Sequence, residues 1–365
     1  MFKQTVDFIR DIYKTNDFIP LHEPCFTERE KELVVDCINS TFVSSIGQYV
    51  ADFEKKIANF CGTKYAVACV NGTSALHIAL ILAGVKPGDE VITQPLTFIA
   101  TANAIKYAGA TPIFLDIDRD TLGLSPKKLE EFLQNNKTGS KVTACIPMHT
   151  FGHPAKIQEI AKICNKYNIK LVEDCAESLG SKFNGIHTGN FGQSGILSFN
   201  GNKIITTGGG GMLLTNDEQL AKRAKHLTTQ AKIPHRWEFV HDEIGYNYRM
   251  PNINAALGLA QMEKLPALLD KKRKLAGIYK DFFKEKFVTE PENCCSNYWL
   301  NAILLDDKKQ RDEFLNYTND NEVMTRPAWR LMNKLEMFKD CRCGDLSNAE
   351  FIEERLVNIP SGVKV

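Results

Sequence analysis

Short apolar runs alternate with longer amphipathic segments along the chain from Tyr65 onward. A run of about five apolar residues between turn residues is typical of a buried strand, whereas apolar positions three and four apart indicate a helix. This repeated order predicts an α/β fold with a mostly parallel sheet that helices cover on both faces. The predicted strands are Ala66–Val70, Glu90–Leu96, Thr111–Asp118, Val142–Met148 and Ile169–Asp174. The predicted helices are Thr73–Ala83, Phe98–Tyr107, one that begins at Ser125-Pro126, and His153–Tyr167.

The pattern changes twice further along the chain. Near Gly185 the helices give way to glycine-rich strands and turns, which indicates the edge of a sheet and a functional site. After Gln261 the chain is rich in helices and contains one strand-like run, Tyr298–Leu304. We therefore predict two domains: an N-terminal segment with a large α/β domain over residues 1–260, and a smaller α+β domain over residues 261–365.

The composition narrows the functional classes. Among 365 residues, Lys and Arg total 45 and Asp and Glu total 44, so a net charge of +1 gives no basic surface for nucleic acid or anionic lipid. The longest apolar stretch, Ser74–Val85, is interrupted by His77 and is too short to span a membrane. Eleven scattered cysteines without zinc-ligand spacing are typical of reduced thiols. The sequence therefore predicts a cytoplasmic protein without a metal site that binds neither nucleic acid nor membranes.

A first candidate for chemistry lies between the first predicted strand and its helix, at Asn71-Gly72-Thr73-Ser74. The free N–H groups of a helix N-terminus, together with two hydroxyls, can bind a phosphate. The same residue types are common helix caps, so the motif alone leaves a structural role open. No Gly-Lys-Thr or Gly-Lys-Ser follows, which argues against a Walker phosphate-binding loop. The glycine spacing of a Rossmann fold is also missing, which argues against a nicotinamide-binding protein.

Two further candidates are a carboxylate and an amine. Asp174 ends an apolar strand at the edge where α/β proteins bind their ligands, although it could equally cap a helix. Lys203 lies between apolar residues and the glycines Gly208–Gly211, where a lysine is unusual; a surface lysine beside a hairpin is the alternative. Because burial favours a neutral amine, a lysine in such surroundings can form a Schiff base.

Together these features match one cofactor, pyridoxal 5′-phosphate (PLP). The lysine would hold the aldehyde carbon as an imine, the aspartate would keep the ring nitrogen protonated, and the helix N-terminus would bind the phosphate. The protonated ring would then act as an electron sink for a carbanion formed on the substrate. The sequence therefore predicts a PLP-dependent enzyme.

Several motifs in the same order resemble those of the DegT/DnrJ/EryC1/StrS family of sugar-modifying aminotransferases. The resemblance extends from Phe42 to about Pro360. It implies a fold-type I large domain, similar to that of aspartate aminotransferase, and a transaminase that acts on nucleotide-linked keto sugars. The motifs that carry it are Asn71–Leu76, Thr97–Ala104, Glu173–Gly180, Ser198–Gly211, Gly245–Met250 and Ala255–Gly258.

The resemblance also implies roles for individual residues. Lys203 would form the imine and shuttle a proton between substrate and cofactor, and Asp174 would pair with the pyridinium nitrogen. Phe98, which would otherwise be read as a core residue, would stack on the ring. Glu177 occupies the position near the ring hydroxyl where the family often has Gln or His. Asn247 would reach the phosphate of a neighbouring subunit's cofactor, which requires a homodimer with shared active sites. The phosphate would be bound by Gly72, Thr73, Ser74 and Ser198.

The substrate is indicated by finer similarities. Gly208–Gly211 stands where many relatives have Gly-Glu-Gly-Gly, and together with Phe42–Ser45 and Met148–Pro154 it resembles the branch named LegC. This implies amino transfer from L-glutamate to C4 of a nucleotide-linked 4-keto-6-deoxy-N-acetylhexosamine, on the route to legionaminic acid. His149 and Arg326 are candidate sugar-nucleotide contacts, and either could instead be structural. Amination at C3, a non-catalytic sugar-nucleotide binder, and UDP or GDP as the carrier stay open.

Overall fold

A seven-stranded sheet forms the centre of the larger part of the chain in the computed structural model, which describes residues 2–136 and 141–364. The strands in these residues are, in chain order, β1 (Tyr65–Cys69), β2 (Glu90–Thr93), β3 (Thr111–Phe114), β4 (Val142–Ile146), β5 (Lys170–Asp174), β6 (Lys182–Phe183), β7 (Ile186–His187), β8 (Ser194–Ser198), β9 (Gly211–Thr215), β10 (Lys232–Ile233), β11 (Val240–His241), β12 (Cys294–Cys295), β13 (Asn301–Leu304), β14 (Arg326–Pro327) and β15 (Leu356–Ile359). The large sheet has the order β1-β9-β8-β5-β4-β2-β3. Only β9 runs antiparallel to its neighbours in this sheet, so the sheet is mostly parallel, as predicted.

The helices of the described residues are α1 (Phe2–Tyr13), α2 (Glu28–Asn39), α3 (Gln48–Cys61), α4 (Gly72–Leu82), α5 (Ile99–Tyr107), α6 (Pro126–Asn135), α7 (Ile157–Lys166), α8 (Glu218–Thr228), α9 (Asn252–Phe283), α10 (Lys308–Asp320) and α11 (Ser347–Arg355). Local signals set several of their ends. Asn71 and Asp217 cap α4 and α8 with side-chain oxygens, and Gly62 ends α3 with a φ of +71° that favours glycine. None of these helices combines the length and the apolar character that a membrane span requires.

Both faces of the large sheet are covered by helices, because alternate residues of each strand point to opposite sides. On one face, Val91 of β2 and Ile146 of β4 pack with α4, α5 and α8. On the other face, Ile92 and Cys145 pack with α6 and α7, while strands nearer β1 pack with α3 and α9. The predicted α/β fold is thereby confirmed. The carboxyl ends of β1, β5 and β8 lie at the same edge, next to the N-terminus of α4.

A second, smaller core lies in the C-terminal part of the chain. The antiparallel sheet with the order β13-β15-β14 packs with α10 and with the second half of α9. Helix α1 joins this core through Val6 and Ile9. The domain boundary predicted between residues 260 and 261 therefore falls inside the continuous helix α9, and the N-terminal helix packs with the smaller part of the chain. The division into two domains itself stays a prediction.

The helix predicted at His153–Tyr167 begins four residues later, at Ile157. A 3₁₀ turn at Thr150–Gly152 precedes it, and His153 is extended because the following Pro154 disfavours the helical conformation. Gly152 has a φ of +96°, and a Cβ there would lie 1.8 Å from Oδ1 of Asn297. The predicted strands are all found, with ends that coincide with the predicted ones or differ from them by up to four residues.

Glu30 joins helices α2 and α9. Its carboxylate accepts hydrogen bonds from the N–H and the hydroxyl of Thr27, both at 2.7 Å, and from the Gln261 amide at 2.6 Å, and it pairs with Lys264. The side chain is almost fully buried. Burial alone would raise the pKa of Glu30, but the hydrogen bonds from Lys264 and Thr27 lower it to about 2. Ionised Glu30 therefore stabilises the folded state.

We expect Glu30→Gln to lower the free energy of unfolding at pH 7 by about 2 to 3 kcal/mol, measured by urea titration. The stabilisation is present above the ordinary carboxyl pKa and is lost as the pH falls towards the lowered value, so the difference between the two proteins should shrink below about pH 4.5. Glu28→Gln is the control, since Glu28 forms an exposed pair with Lys31 that contributes less than about 1 kcal/mol. Equal stability of Glu30→Gln and the wild type at pH 7 would contradict this role.

Candidate active site

A cavity of about 330 Å³ opens at the carboxyl edge of the large sheet. Its walls come from the N-terminus of α4, the ends of β5 and β8, the segment between β8 and β9, and two tryptophans from the C-terminal part of the chain. Most of the site residues named from the sequence line this one cavity. They are Gly72, Thr73, Phe98, Asp174, Glu177, Ser198 and Lys203.

The N-terminus of α4 offers free N–H groups to the cavity. Asn71 caps the helix by accepting a hydrogen bond from the Ser74 N–H at 2.7 Å. In the part of the chain that the structure describes, the N–H groups of Gly72 and Thr73 have no hydrogen-bond partner. A Cβ at Gly72 would lie 3.1 Å from the Cβ of Ser198, so glycine keeps this corner open. Ser74 is buried and does not line the cavity, unlike the other residues predicted to bind the phosphate.

Asp174 lies at the carboxyl end of β5 and is almost fully buried. Its Oδ2 accepts a hydrogen bond from the Thr101 hydroxyl at 2.7 Å, and its Oδ1 accepts one from the Ala176 N–H at 3.1 Å. Burial raises the pKa of Asp174, and these two hydrogen bonds partly oppose that effect. The carboxylate is thus held in a fixed orientation and is buried, so a cation beside it would be strongly favoured. Thr101 lies inside the Thr97–Ala104 motif but was not predicted as a site residue.

The amine of Lys203 lies next to a second buried carboxylate. Its Nζ is 3.2 Å from Oε1 of Glu177 and 3.8 Å from the centre of the Trp299 ring. The side chain of Lys203 is 13% exposed, so the alternative of a solvated surface lysine does not hold. Oε2 of Glu177 accepts a hydrogen bond from the Phe151 N–H at 2.9 Å. Burial raises the pKa of Glu177 to about 7, although the charge of Lys203 acts in the opposite direction.

An aromatic wall closes the cavity on the side of the C-terminal part. Phe98, directly before α5, is 51% exposed and is therefore not a core residue. Its ring centre is 6.3 Å from that of Trp329, which also packs against Phe151 at 5.0 Å. Trp299 and Trp329 also line the cavity, and neither was predicted as a site residue. Trp329 belongs to the same Thr-Arg-Pro-Ala-Trp segment in which Arg326 was named.

Besides Ser74, three residues named from the sequence do not line the cavity. His149 is fully buried; its Nδ1 accepts a hydrogen bond from the Ala155 N–H at 3.1 Å, and its Nε2 donates to Glu173 at 3.2 Å. Both ring nitrogens are thus used within the fold, which gives His149 the structural role that the sequence left open. Arg326 and Asn247 are exposed and lie outside the cavity lining.

The residues of the cavity fit PLP. The unpaired N–H groups at α4 and the hydroxyl of Ser198 provide a phosphate site, and a side chain at Gly72 would fill it. Asp174 provides a buried negative charge for a protonated ring nitrogen, and Lys203 provides an amine within the same cavity. The exposed face of Phe98 provides a surface for a flat ring.

Comparisons with other proteins agree with this geometry. The chain is 40% identical to the GDP-perosamine synthase of Escherichia coli O157:H7 over 346 residues, which cover 94% of this chain and 93% of that protein. It is 35% identical to the GDP-perosamine synthase of Caulobacter vibrioides over 350 residues, which cover 94% and 93% of the two chains. A relation of this extent includes both the sheet with its cavity and the C-terminal part.

Solved structures give the same result. The aminotransferase TlmJ from Streptoalloteichus hindustanus superimposes with a TM-score of 0.88 at 28% identity, covering 94% of this chain and 93% of that one. Helicobacter pylori PseC, an aminotransferase of pseudaminic acid biosynthesis, superimposes with a TM-score of 0.86 at 25% identity over 94% of each chain. The sequence profile of one aminotransferase family matches residues 24–365. The chain therefore belongs to the DegT/DnrJ/EryC1/StrS aminotransferase family, whose members are PLP-dependent sugar aminotransferases.

Proposed function

We propose that this aminotransferase moves the amino group of L-glutamate to C4 of a nucleotide-linked 4-keto-6-deoxy-N-acetylhexosamine, in the formation of surface sugars of the legionaminic acid type. The observation that carries the reaction type is the amine of Lys203, held inside the cavity 3.2 Å from a buried carboxylate. A nucleotide-linked sugar is supported by the relatives that are named for GDP-perosamine. The N-acetylated sugar is supported by the resemblance of Phe42–Ser45 and Met148–Pro154 to the LegC branch.

Each residue of the cavity has a separate task in this proposal. When bound, PLP supplies an aldehyde that takes up an amine and a ring that withdraws electrons from the substrate carbon. Lys203 would hold the aldehyde between turnovers and would carry the proton between the substrate carbon and the cofactor carbon. Asp174 would keep the proton on the ring nitrogen. Phe98 would cover one face of the ring, and Thr73 and Ser198 would hold the phosphate.

Glu177 differs from the Gln or His that is common in the family, and it adds a titratable group beside the reacting amine. With a pKa of about 7 it exchanges its proton readily near neutral pH. Its Oε1 faces Lys203, and the hydrogen bond from Phe151 fixes the other oxygen. We propose that Glu177 balances the charge of Lys203 and lies beside the ring hydroxyl of the bound cofactor.

A panel of nucleotide-linked keto sugars with L-glutamate as donor tests the substrate. We expect 4-keto-6-deoxy-N-acetylhexosamines, on UDP or on GDP, to be aminated with a kcat/KM at least about tenfold above that of a GDP-linked 4-keto-6-deoxyhexose without the N-acetyl group. NMR of the product should place the new amine at C4. Faster amination of the GDP-linked sugar would instead support a second candidate function, a perosamine-forming activity like that named for the relatives. A new amine at C3 would support a third candidate, a C3 aminotransferase.

The active form is proposed to be a homodimer with shared active sites. Asn247 is exposed, and its backbone is tied to Thr229 beside the base of the β10–β11 hairpin. Large apolar side chains are exposed on this hairpin, directly after it, and on the segment before α3. We propose that a second copy of the chain covers these side chains. They include Phe42, Ile46, Trp237, Phe239 and Ile244, which are 56 to 84% exposed.

Mixing two inactive variants tests this sharing. Lys203→Ala removes the amine from one site, and Asn247→Ala removes the proposed contact across the interface. If sites are shared, each mixed dimer contains one site with both residues intact. Random exchange in an equal mixture makes half of the dimers mixed, so about a quarter of the wild-type activity should return. Lys203→Ala mixed with Asp174→Asn is the matched control with two changes on the same side of the site. Failure of the first mixture to regain activity, with mixed dimers shown by native mass spectrometry, would mean that each site is built within one chain.

A further inference from the structure

The amine of Lys203 contacts two groups at the same time, an aromatic ring and a carboxylate. Its Nζ lies 3.8 Å above the centre of the Trp299 ring and 3.2 Å from the carboxylate of Glu177. An ammonium over an indole face is attracted by the negative charge of the ring face, and the attraction grows when water is excluded. Trp299 is 4% exposed and Glu177 is 3% exposed, so both partners of the amine are largely shielded from solvent.

The ring of Trp299 is held in place from three directions. Its indole N–H donates to the carbonyl of Asn202, the residue before Lys203, at 2.7 Å. Its backbone N–H donates to Oδ1 of Asn297 at 2.8 Å. Its carbonyl accepts a hydrogen bond from the buried amine of Lys272 at 2.7 Å. A side chain fixed in this way offers a rigid surface to the lysine.

The backbone of Glu177 is held by the same asparagine, Asn297. The side-chain amide of Asn297 donates to the backbone carbonyls of Glu177 at 2.8 Å and Leu179 at 2.9 Å. Asn297 therefore joins the backbone of Glu177 to the backbone of Trp299. Gly152 makes this arrangement feasible, because any side chain there would displace Asn297.

We propose that Trp299 is a positioning residue, and that its ring face and the Glu177 carboxylate form a seat for the Lys203 amine whenever the lysine is not covalently bound to the cofactor. The inference rests on the proposed role of Lys203 and adds a residue from the C-terminal part of the chain to it. Covalent attachment joins the amine to the aldehyde carbon and releases water, and it takes the amine off the seat. The seat thus stabilises every state with free lysine relative to the attached state.

The experiment compares two ligands of the apoprotein. Pyridoxamine 5′-phosphate has no aldehyde and leaves Lys203 on its seat, whereas PLP removes the lysine from it. Contacts of Trp299 with the ring or phosphate are common to both ligands and cancel in the ratio of the two dissociation constants. We expect Trp299→Leu to shift this ratio in favour of PLP by about 2- to 30-fold, the range that corresponds to a cation–π contact. Both constants can be measured by calorimetric titration, without turnover.

Two variants serve as controls. Trp299→Phe keeps an aromatic face and should lie between Trp299→Leu and the wild type. Trp329→Leu removes the other tryptophan of the cavity, which does not contact Lys203, and should change the ratio less than about twofold. An unchanged ratio in Trp299→Leu, or an equal change in Trp329→Leu, would overturn the seat. If borohydride fails to trap PLP on Lys203 in the wild type, the proposed function is contradicted, and the proposed role of Trp299 is contradicted as well.

Discussion

Lys203→Ala should abolish amino transfer and remove the absorbance band at about 400 to 430 nm that PLP gives when it is bound to a lysine. The structure provides the reason. Among the described residues, Lys203 is the only lysine that lines the cavity. No other side chain there can therefore bind the aldehyde and carry the proton. We expect kcat to fall by at least about 10⁴-fold. Stopped assays with glutamate and absorbance spectra of the purified protein measure both effects.

Two controls separate the chemistry from the charge of this residue. Lys203→Arg keeps a cation next to Glu177 but cannot form the imine, so it should be as inactive as Lys203→Ala. Lys182→Ala removes an exposed lysine on β6 and should leave both the band and the rate unchanged. Near-normal turnover by Lys203→Ala, or a band that borohydride does not remove from the wild type, would refute the assignment.

The second large effect is expected for Asp174→Asn. The amide has the same shape and can still accept the hydrogen bond from the Ala176 N–H, but it lacks the charge that keeps a ring nitrogen protonated. We expect kcat to fall by about three powers of ten while PLP still attaches to Lys203. Since the charge of Asp174 also raises the pKa of Glu177, the pH profile of the residual activity should move to lower pH.

Thr101→Val is the matched control for this variant. It removes the hydroxyl that donates to Oδ2 of Asp174 at 2.7 Å but keeps the carboxylate. A loss of about tenfold is expected, since one hydrogen bond to a charged group is removed. If Asp174→Asn retains a rate close to that of the wild type, the carboxylate does not act on the cofactor ring.

Much of the fold and part of the site followed from local signals. Each strand and helix of the larger part is set by a run of apolar residues and by caps such as Asn71, which act over a few residues and can be read in one dimension. Asp174 was found because it ends a buried strand, and Lys203 because a lysine is rare among apolar residues and glycines. Both line the cavity in which the cofactor is proposed to bind.

His149 and Trp299 show what local sequence patterns cannot predict. His149 was named as a substrate contact because its segment, Met148–Pro154, resembles the LegC branch, yet both of its ring nitrogens are bonded inside the fold, to Ala155 and Glu173. Trp299 lies 96 positions after Lys203, and the return of the chain through α9 brings its ring onto the amine. Hydrophobic periodicity relates residues a few positions apart and cannot predict a contact across 96 positions.

By itself, the sequence determined which elements form and which reactive side chains are available, because apolar periodicity, caps and turn residues act between neighbours along the chain. Only the tertiary structure decided which of those side chains share the cavity. That choice depends on the strand order, on the continuous helix that joins the two cores and on the burial of each polar group, all of which come from contacts between residues far apart in the chain.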